Sequence, residues 1–228
     1  MNFKENFSLK LTNMLLPEFC EELFYVKNIN LFENSFKNYL EKVYEYNIFI
    51  IQKWLKGLNK NYTIQELENL QYLDLLNNQL TSFPNINLPK LEYFNLSFNH
   101  LKKLSNFNLP NLQSLYLSYN QLTSIPNLYL PNLRNLYLFN NQLTSIPSLS
   151  NLPNLEYLDL YHNQLTELPT LNLPNLHTLI LSDNQLKELW NLNLPNLGIL
   201  YLQNNRLTNK NIEYIKSLNI KNLISFFE

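Results

Sequence analysis

The chain has 228 residues, 45% hydrophobic and 15% charged, with a formal net charge of −1, a composition typical of folded proteins that excludes a disordered one. No surplus of Lys and Arg is available for a phosphate backbone, so we expect no nucleic-acid partner. Its single cysteine, Cys20, excludes an intramolecular disulfide and indicates a reducing compartment.

The amino terminus provides no targeting signal. Residues 1–10 contain a charge pair and lack the apolar region of a signal peptide. No apolar run is long enough to cross a bilayer, so we expect no membrane association. Together with the lone cysteine, this predicts an intracellular, cytoplasmic protein.

Residues 1–61 carry no repeat, and their apolar spacing predicts a helical cap or a small helical domain. Pro17 suits the first turn of a helix that continues to about Tyr25. A second apolar stripe predicts a long or broken helix from about Ser35 to Lys56, with Gly57 near its end. The run from Ile48 to Ile51 could instead form a strand.

Residues 62–208 contain seven copies of the frame LxxLxLxxNxL. Successive copies are 21 residues apart, except for one spacing of 22, and Leu and Asn supply 53 and 41 residues of the chain. Leucines at the fourth and sixth places alternate with variable residues, which predicts a short strand with one buried face. Seven such strands would stack in parallel. The copies begin at Leu70, Leu91, Leu112, Leu133, Leu155, Leu176 and Leu197.

An asparagine occupies the ninth place of every copy, where the chain turns away from the strand. Its side-chain amide can bond backbone groups that have lost their sheet partners, so we expect a buried ladder. Replacing Asn141 by Ala is predicted to cost about 1–3 kcal/mol in thermal unfolding. The ladder residues are Asn78, Asn99, Asn120, Asn141, Asn163, Asn184 and Asn205.

The segment between the asparagine and the next copy contains ten of the eleven prolines, in two columns. Proline blocks helix interiors, so we expect this outer side to be extended or turned. Ser105 and Trp190 replace proline in the first column, which predicts local bulges there. Residues 209–228 form the predicted carboxyl-terminal cap: Lys210–Leu218 has helical spacing, and Ile220–Phe226 is a partial eighth copy.

The frame resembles the leucine-rich repeat family, and the match covers roughly residues 62–228. The resemblance implies an α/β fold. It would be a horseshoe solenoid with a parallel sheet on the concave face, an extended convex side and an N-terminal α-helical cap. Spacings of 21 and 22 residues are similar to the short intracellular class of these repeats. The composition and the run NQLTSIPNLxLPNL are similar to leucine-rich repeat proteins of giant DNA viruses, which implies a host-directed binding role in the host cytoplasm.

The second, third, fifth, seventh and eighth places of each copy should project from the sheet, where a protein or peptide could bind. This face is rich in tyrosine, which gives large contact area at low entropic cost. Five acidic residues oppose Arg134 there, which favours a basic partner. The alternative is that the rings only cover the sheet. The predicted binding residues are Tyr72, Tyr93, Phe98, Tyr116, Tyr119, Tyr137, Phe139, Tyr157, Asp159, Tyr161 and Tyr201.

Candidate catalytic residues do not converge in the sequence. Cys20 lies on the apolar side of a predicted helix, and His100, His162 and His177 occupy different columns. His162 with Asp159 and Asp183 is a weak metal-ligand pattern. Only two glycines occur, so no phosphate-binding loop is expected. We therefore predict no enzyme activity, no cofactor and no metal.

A second hypothesis concerns the amino-terminal segment. Leu16-Pro17-Glu18, Leu23-Phe24 and Trp54 resemble an F-box, which would make the protein a substrate-recognition adaptor of a ubiquitin ligase. The spacing between Phe24 and Trp54 departs from that module. The partner's identity and the oligomeric state are left open by the sequence.

Overall fold

A computed structural model describes residues 29–105, 107–190, 192–218, 220 and 222–224. The chain forms two compact units, residues 1–45 and residues 46–228. Helix α1, Ile29–Gly57, begins in the first unit and ends in the second. The predicted helix from Pro17 lies outside the described residues, as do Cys20 and the F-box-like residues before Trp54.

Helix α1 begins earlier than the apolar stripe predicted, at Ile29 instead of about Ser35, and it ends at the predicted Gly57. The alternative of a strand at Ile48–Ile51 is wrong, because these residues are helical. Burial explains why this segment is a helix and not a strand, because Ile48, Ile51 and Leu55 are fully buried at helical spacing. A period of three to four residues excludes a strand pattern here.

The repeat frame folds into an eight-stranded parallel sheet in the second unit. Each strand pairs in register with the strand of the next copy, so that Leu115 lies opposite Leu136 and Leu136 opposite Leu158. The seven strands of the predicted copies have three residues each, and an eighth strand follows from the partial copy. The strands are β1 Tyr72–Asp74, β3 Tyr93–Asn95, β5 Ser114–Tyr116, β6 Asn135–Tyr137, β7 Tyr157–Asp159, β9 Thr178–Ile180, β11 Ile199–Tyr201 and β12 Asn222–Ile224.

Leucines of the frame form the core of the solenoid. The residues at the fourth and sixth places of all seven copies are between 0 and 2% exposed. Phe94 replaces leucine at the fourth place of the second copy, and its larger ring packs edge-on against Phe83 with centroids 6.3 Å apart. These side chains are buried only because neighbouring copies cover them, so the burial stabilises a copy only when its neighbours are present.

The ninth-place asparagines bridge neighbouring copies. Asn141 Nδ2 donates to the carbonyls of Leu117 and Leu138 at 3.0 Å, and its Oδ1 accepts from the amide of Leu122. Bonds to the corresponding two carbonyls and the corresponding amide recur at five further ladder residues, each of which also donates to a third carbonyl: Asn99, Asn120, Asn163, Asn184 and Asn205. In the first copy Asn78 Nδ2 instead bonds the carbonyl of Leu76.

The outer side of the solenoid contains two short parallel pairs, β2 Ile86–Asn87 with β4 Phe107–Asn108, and β8 Leu171–Asn172 with β10 Leu192–Asn193. Where proline is missing, Ser105 Oγ donates to the carbonyl of Phe83, and Trp190 packs against Tyr214 with centroids 4.9 Å apart. At Ser105 and Trp190, side-chain contacts therefore stabilise the outer segment where the other copies have proline.

A second asparagine ladder on the outer side was missed by the sequence reading. The second proline column is Pro89, Pro110, Pro131, Pro153, Pro174 and Pro195. An asparagine follows the last five of these, and each donates to the proline carbonyl of the preceding copy at 2.7–3.0 Å. Proline has no amide but keeps its carbonyl, which these side chains satisfy. The recurring Pro-Asn-Leu triplet was the available signal. The ladder residues are Asn111, Asn132, Asn154, Asn175 and Asn196.

Helices contribute to both ends of the second unit. Helix α2, Ile64–Glu68, begins with a capping box between Thr63 and Glu66, and Leu67 is buried. Helix α3, Asn209–Ser217, lies in the segment with predicted helical spacing, and its Ile215 is fully buried. The division into segments 1–61, 62–208 and 209–228 stays a prediction.

Candidate functional site

Five tyrosine rings form a continuous row across the exposed face of the main sheet. Neighbouring centroids lie 4.2, 4.9, 4.4 and 5.0 Å apart along strands β1, β3, β5, β6 and β7. Two of the contacts are stacked within 13° of parallel, and the other two are tilted. We call these residues the tyrosine row: Tyr72, Tyr93, Tyr116, Tyr137 and Tyr157.

The tyrosine row changes column twice. It occupies the third place in β1, β3 and β7 but the fifth place in β5 and β6. The third place of β5 and β6 holds Ser114 and Asn135, whose side chains bond each other at 3.1 Å. Because third and fifth places point to the same face of a strand, the rings still meet.

A second aromatic group, the turn row, follows the strands: Phe98, Tyr119 and Phe139. Phe98 and Tyr119 are stacked with centroids 4.1 Å apart, and Phe139 meets Tyr119 edge-on at 5.3 Å. Phe98 is 49% exposed and Tyr119 is 42% exposed. The turn row therefore presents aromatic surface beside the tyrosine row.

The eighth place of every copy has left-handed backbone, with φ between 51 and 56°. Asn, Asp or His holds this place in five copies, and these residues tolerate the conformation best after glycine. Phe98 and Tyr119 are bulky exceptions, and such strain costs roughly 1–3 kcal/mol per residue. The Asn-rich eighth column was the signal that could have predicted this backbone.

Burial raises the pKa of three hydroxyls in the tyrosine row. It raises the pKa of Tyr157 to about 12, and the neighbouring Asp159 carboxylate acts in the same direction. Burial also raises the pKa of Tyr93 and Tyr137 above the ordinary tyrosine value. These three hydroxyls are therefore uncharged at physiological pH.

Asp159, a predicted binding residue, is only 8% exposed. Its Oδ1 accepts a hydrogen bond from the backbone amide of Tyr161 at 3.0 Å. In the second copy, the side-chain oxygen of Asn95 accepts the equivalent bond from the backbone amide of Ser97. Burial raises the pKa of Asp159, opposed by hydrogen bonds from the Tyr161 amide and the Tyr157 hydroxyl. The structure thus gives this carboxyl a role inside the sheet.

The described sheet face carries an excess of acid. Arg134 is its one Lys or Arg residue among the five outward places of the seven copies, and its Nη1 lies 2.8 Å from Glu156 Oε1. Both side chains are about half exposed, so this surface ion pair adds little stability. The acidic residues are Asp74, Glu92, Glu156, Asp159 and Asp183.

A depression of about 490 Å³ opens on the same face above strands β7, β9 and β11. We call it the β9 pocket. Tyr157, the last ring of the tyrosine row, forms part of its wall, so the row leads into it. Three of the pocket's ten lining residues, Tyr157, Tyr161 and Tyr201, were predicted as binding residues from the sequence. The sequence did not group the other seven into a site: Thr178, Ile180, Ser182, Asp183, Ile199, Gln203 and Asn204.

The candidate catalytic histidines stay apart in the frame, at its tenth, eighth and second places. His100 Nδ1 lies 3.5 Å from Gln121 Nε2, His162 lies beside Tyr161, and the His177 ring occupies the space left by Gly198. Across the described part of the chain, no three His, Cys, Asp or Glu side chains are placed to hold a metal ion. In that same part, no helix has the length and hydrophobicity to span a membrane.

A family model for leucine-rich repeats in pairs of copies matches residues 68–109, 110–151 and 131–173. These matches fall on the frame whose strands and buried leucines form the solenoid. The chain is a leucine-rich repeat protein. No curated protein matches it significantly.

Solved structures of bacterial leucine-rich repeat proteins are similar to this one. YopM from Yersinia enterocolitica WA-314 has a TM-score of 0.60 and 31% identity over 73% of this chain. YopM from Yersinia pestis, a leucine-rich effector protein, has a TM-score of 0.49 and 27% identity over 72% of this chain. InlP from Listeria monocytogenes has a TM-score of 0.46 and 26% identity, covering 78% of this chain and 70% of its own.

The chain spans 38% of the Y. enterocolitica YopM chain and 60% of the Y. pestis chain. Solenoids of this kind present extended surfaces on which protein partners bind.

Proposed function

We propose that this leucine-rich repeat protein is a non-catalytic interaction module that binds an extended basic segment of a protein across its sheet face. The observation that carries the proposal is the unbroken tyrosine row. Aromatic side chains are enriched at interfaces because they give large contact area for little lost rotamer entropy. A soluble monomer rarely leaves a contiguous aromatic surface unused.

The dimensions of the tyrosine row suit a peptide. Five parallel strands spaced about 4.8 Å apart extend over roughly 19 Å, which corresponds to roughly six residues of extended chain. Tyr72 is 54% exposed at one end of the row. A peptide crossing the strands would lie against apolar ring faces and would meet phenol oxygens that can accept hydrogen bonds.

Charge favours a basic segment. The acidic surplus of the sheet face is not balanced locally, because Arg134 is already paired with Glu156. Complementary charge raises association rates and selects partners more than it adds affinity. We therefore expect binding to weaken as the salt concentration rises.

The test is selection from a random peptide library with the whole chain, followed by affinity measurement on the selected peptides. We expect selected peptides to be enriched in Lys and Arg. Tyr116→Ala with Tyr137→Ala should weaken their binding by about tenfold or more, because hot spots lie in the middle of an interface. Circular dichroism would confirm that the double variant is folded.

Tyr129→Ala is the matched control, since Tyr129 is 73% exposed and lies in the outer segment of the third copy. It should bind as the wild type does. Selected peptides that bind the double variant unchanged, or no selection at all, would contradict the proposal. The adaptor alternative, a host-directed role and a cytoplasmic location stay predictions from the sequence.

A further inference from the structure

We propose that the β9 pocket accepts one long basic side chain, Arg or Lys, from the segment bound along the tyrosine row. The proposal deepens the proposed function and rests on it for the source of that side chain. The pocket's own affinity for a basic group does not depend on that function and can be measured separately.

Three aromatic rings line the pocket. Tyr157 and Tyr161 belong to the fifth copy and Tyr201 to the seventh, so the rings come from the copies on either side of strand β9. The face of an aromatic ring attracts a guanidinium or ammonium group, with Arg the more frequent partner. Such rings therefore favour a cationic side chain over a neutral one of the same shape.

Asp183 supplies the opposite charge. It is half-buried at the eighth place of its copy, where the left-handed backbone has a φ of 54°. Its Oδ1 accepts from Asn204 Nδ2 at 2.6 Å, and the Tyr161 hydroxyl also bonds this carboxyl group. These contacts fix the carboxylate at the pocket while leaving lone pairs for a ligand.

None of the ten lining residues is basic, so no side chain of the pocket itself neutralises Asp183. Ile180 and Ile199 add half-buried apolar surface. This combination fits the amphipathic structure of Arg and Lys, whose methylene stems pack on apolar groups while the charged end pairs with an acid. A volume of about 490 Å³ has room for one such side chain with water.

The tyrosine row determines which segment reaches the pocket. Tyr157 belongs to both features, and the row ends there. A peptide that covers the row would place its next residue over strands β7 and β9. The proposed basic residue is therefore at one end of the bound segment.

The experiment is a nuclear magnetic resonance titration of the whole chain labelled at isoleucine methyl groups. The probes are acetyl-arginine amide, acetyl-lysine amide and the uncharged analogue acetyl-citrulline amide. We expect the two basic probes to shift the Ile180 and Ile199 methyl signals. Citrulline should bind at least about tenfold more weakly, since it lacks the charge.

Asp183→Asn tests the carboxylate with little risk to the fold, because Asn already occupies this place in three copies, at Asn77, Asn140 and Asn204. The matched control is Asp74→Asn, which removes the same charge from the same face at the far strand. Asp183→Asn should weaken arginine binding by about tenfold, and Asp74→Asn should change it little. Tyr161→Ala, which removes an exposed ring, should also weaken it.

Equal binding of arginine and citrulline, equal effects of the two Asp variants, or no shift at Ile180 and Ile199 would overturn the inference. The library experiment separates this failure from failure of the proposed function. If selected peptides still depend on Tyr116 and Tyr137 but bind Asp183→Asn unchanged, the sheet face is the binding site and the pocket is not.

Discussion

The left-handed eighth place shows how one backbone position organises the candidate site. There, φ lies between 51 and 56° in all seven copies, so the side chain at each strand end points out of the sheet in the same way. Phe98 and Tyr119 stack because their backbones have this shared conformation. Bulky residues at such positions are costly, and strain of this kind is concentrated at functional sites.

Substitutions at Tyr119 test the strain directly. Both Tyr119→Gly and Tyr119→Ala remove the ring, but only glycine adopts a φ of 54° without cost. We expect the Gly variant to be more stable than the Ala variant by about 1 kcal/mol in urea unfolding.

Ser114 in strand β5 of the same copy is the control, because it is not among the described residues with positive φ. There the order should reverse, with Ala the more stable by about 0.5–1 kcal/mol. The same order at both positions would contradict the strain at Tyr119.

Asp159 makes folding stability depend on pH. Its pKa in the folded protein is raised, chiefly by burial, so the folded state holds a proton that the unfolded state releases. The stability that Asp159 contributes through this proton is therefore fully present below the ordinary Asp pKa of about 3.9, and it is lost as the pH rises through the folded-state pKa.

Asp159→Asn should consequently stabilise the protein at neutral pH, with the difference vanishing at acidic pH. The amide oxygen can keep the bond to the Tyr161 amide, as Asn95 does at the same place. Thermal unfolding at several pH values measures this, with the more exposed Asp74→Asn as comparison. A gain that does not change with pH would point to a cause other than titration.

At the scale of elements, the second half of helix α1 closes the array on its amino-terminal side. Asn47 Nδ2 donates to the carbonyl of Asn85 in the first copy, and Gln52 Nε2 donates to the carbonyl of Tyr62. An array needs such a cap because the leucines of its first coil have no preceding copy to cover them. The sequence predicted this helix from its apolar spacing but began it too late.

Two substitutions on this helix separate the covered side from the exposed side. Ile51 is fully buried and Phe49 is 52% exposed. Ile51→Ala should cost about 2–5 kcal/mol in urea unfolding, because it removes buried methyl groups and leaves a cavity. Phe49→Ala should change the stability by about 0.5 kcal/mol or less. Similar losses for both variants would mean that the helix does not cover the core in this way.

At the scale of the whole molecule, near-identical spacing makes the array modular. Each strand pairs with its neighbour in register, and a ladder asparagine such as Asn141 bonds only its own copy and the preceding one. Stability in such arrays is a sum of copy and interface contributions, so a copy can be removed without changing the rest of the pattern.

Deleting residues 112–132 removes one copy in frame. We expect the shortened chain to fold with the same circular dichroism spectrum and a lower unfolding temperature, since strand β3 can pair with β6. Deleting only residues 112–122 would destroy the leucine frame and should prevent cooperative unfolding. Equal behaviour of the two deletions would argue against the modular array.

The repeat frame alone determined the short strands, their parallel stacking and the buried leucines. Each of these follows from local spacing: alternation gives the strand, and the leucine frame of each copy gives the register, which the one 22-residue spacing between β6 and β7 preserves. A resemblance to leucine-rich repeats then gave the fold, and the family match and the solenoid agree with it.

Contacts between copies decided the rest. The column of each ring in the tyrosine row is read from the sequence, whereas the tilt and contact of neighbouring rings depend on packing. Burial of Asp159 and the grouping of Asp183 with Tyr161 likewise depend on side chains about 21 residues apart or on turns that the frame does not encode. A periodic sequence determines where each residue stands, whereas packing between neighbouring copies determines which side chains meet.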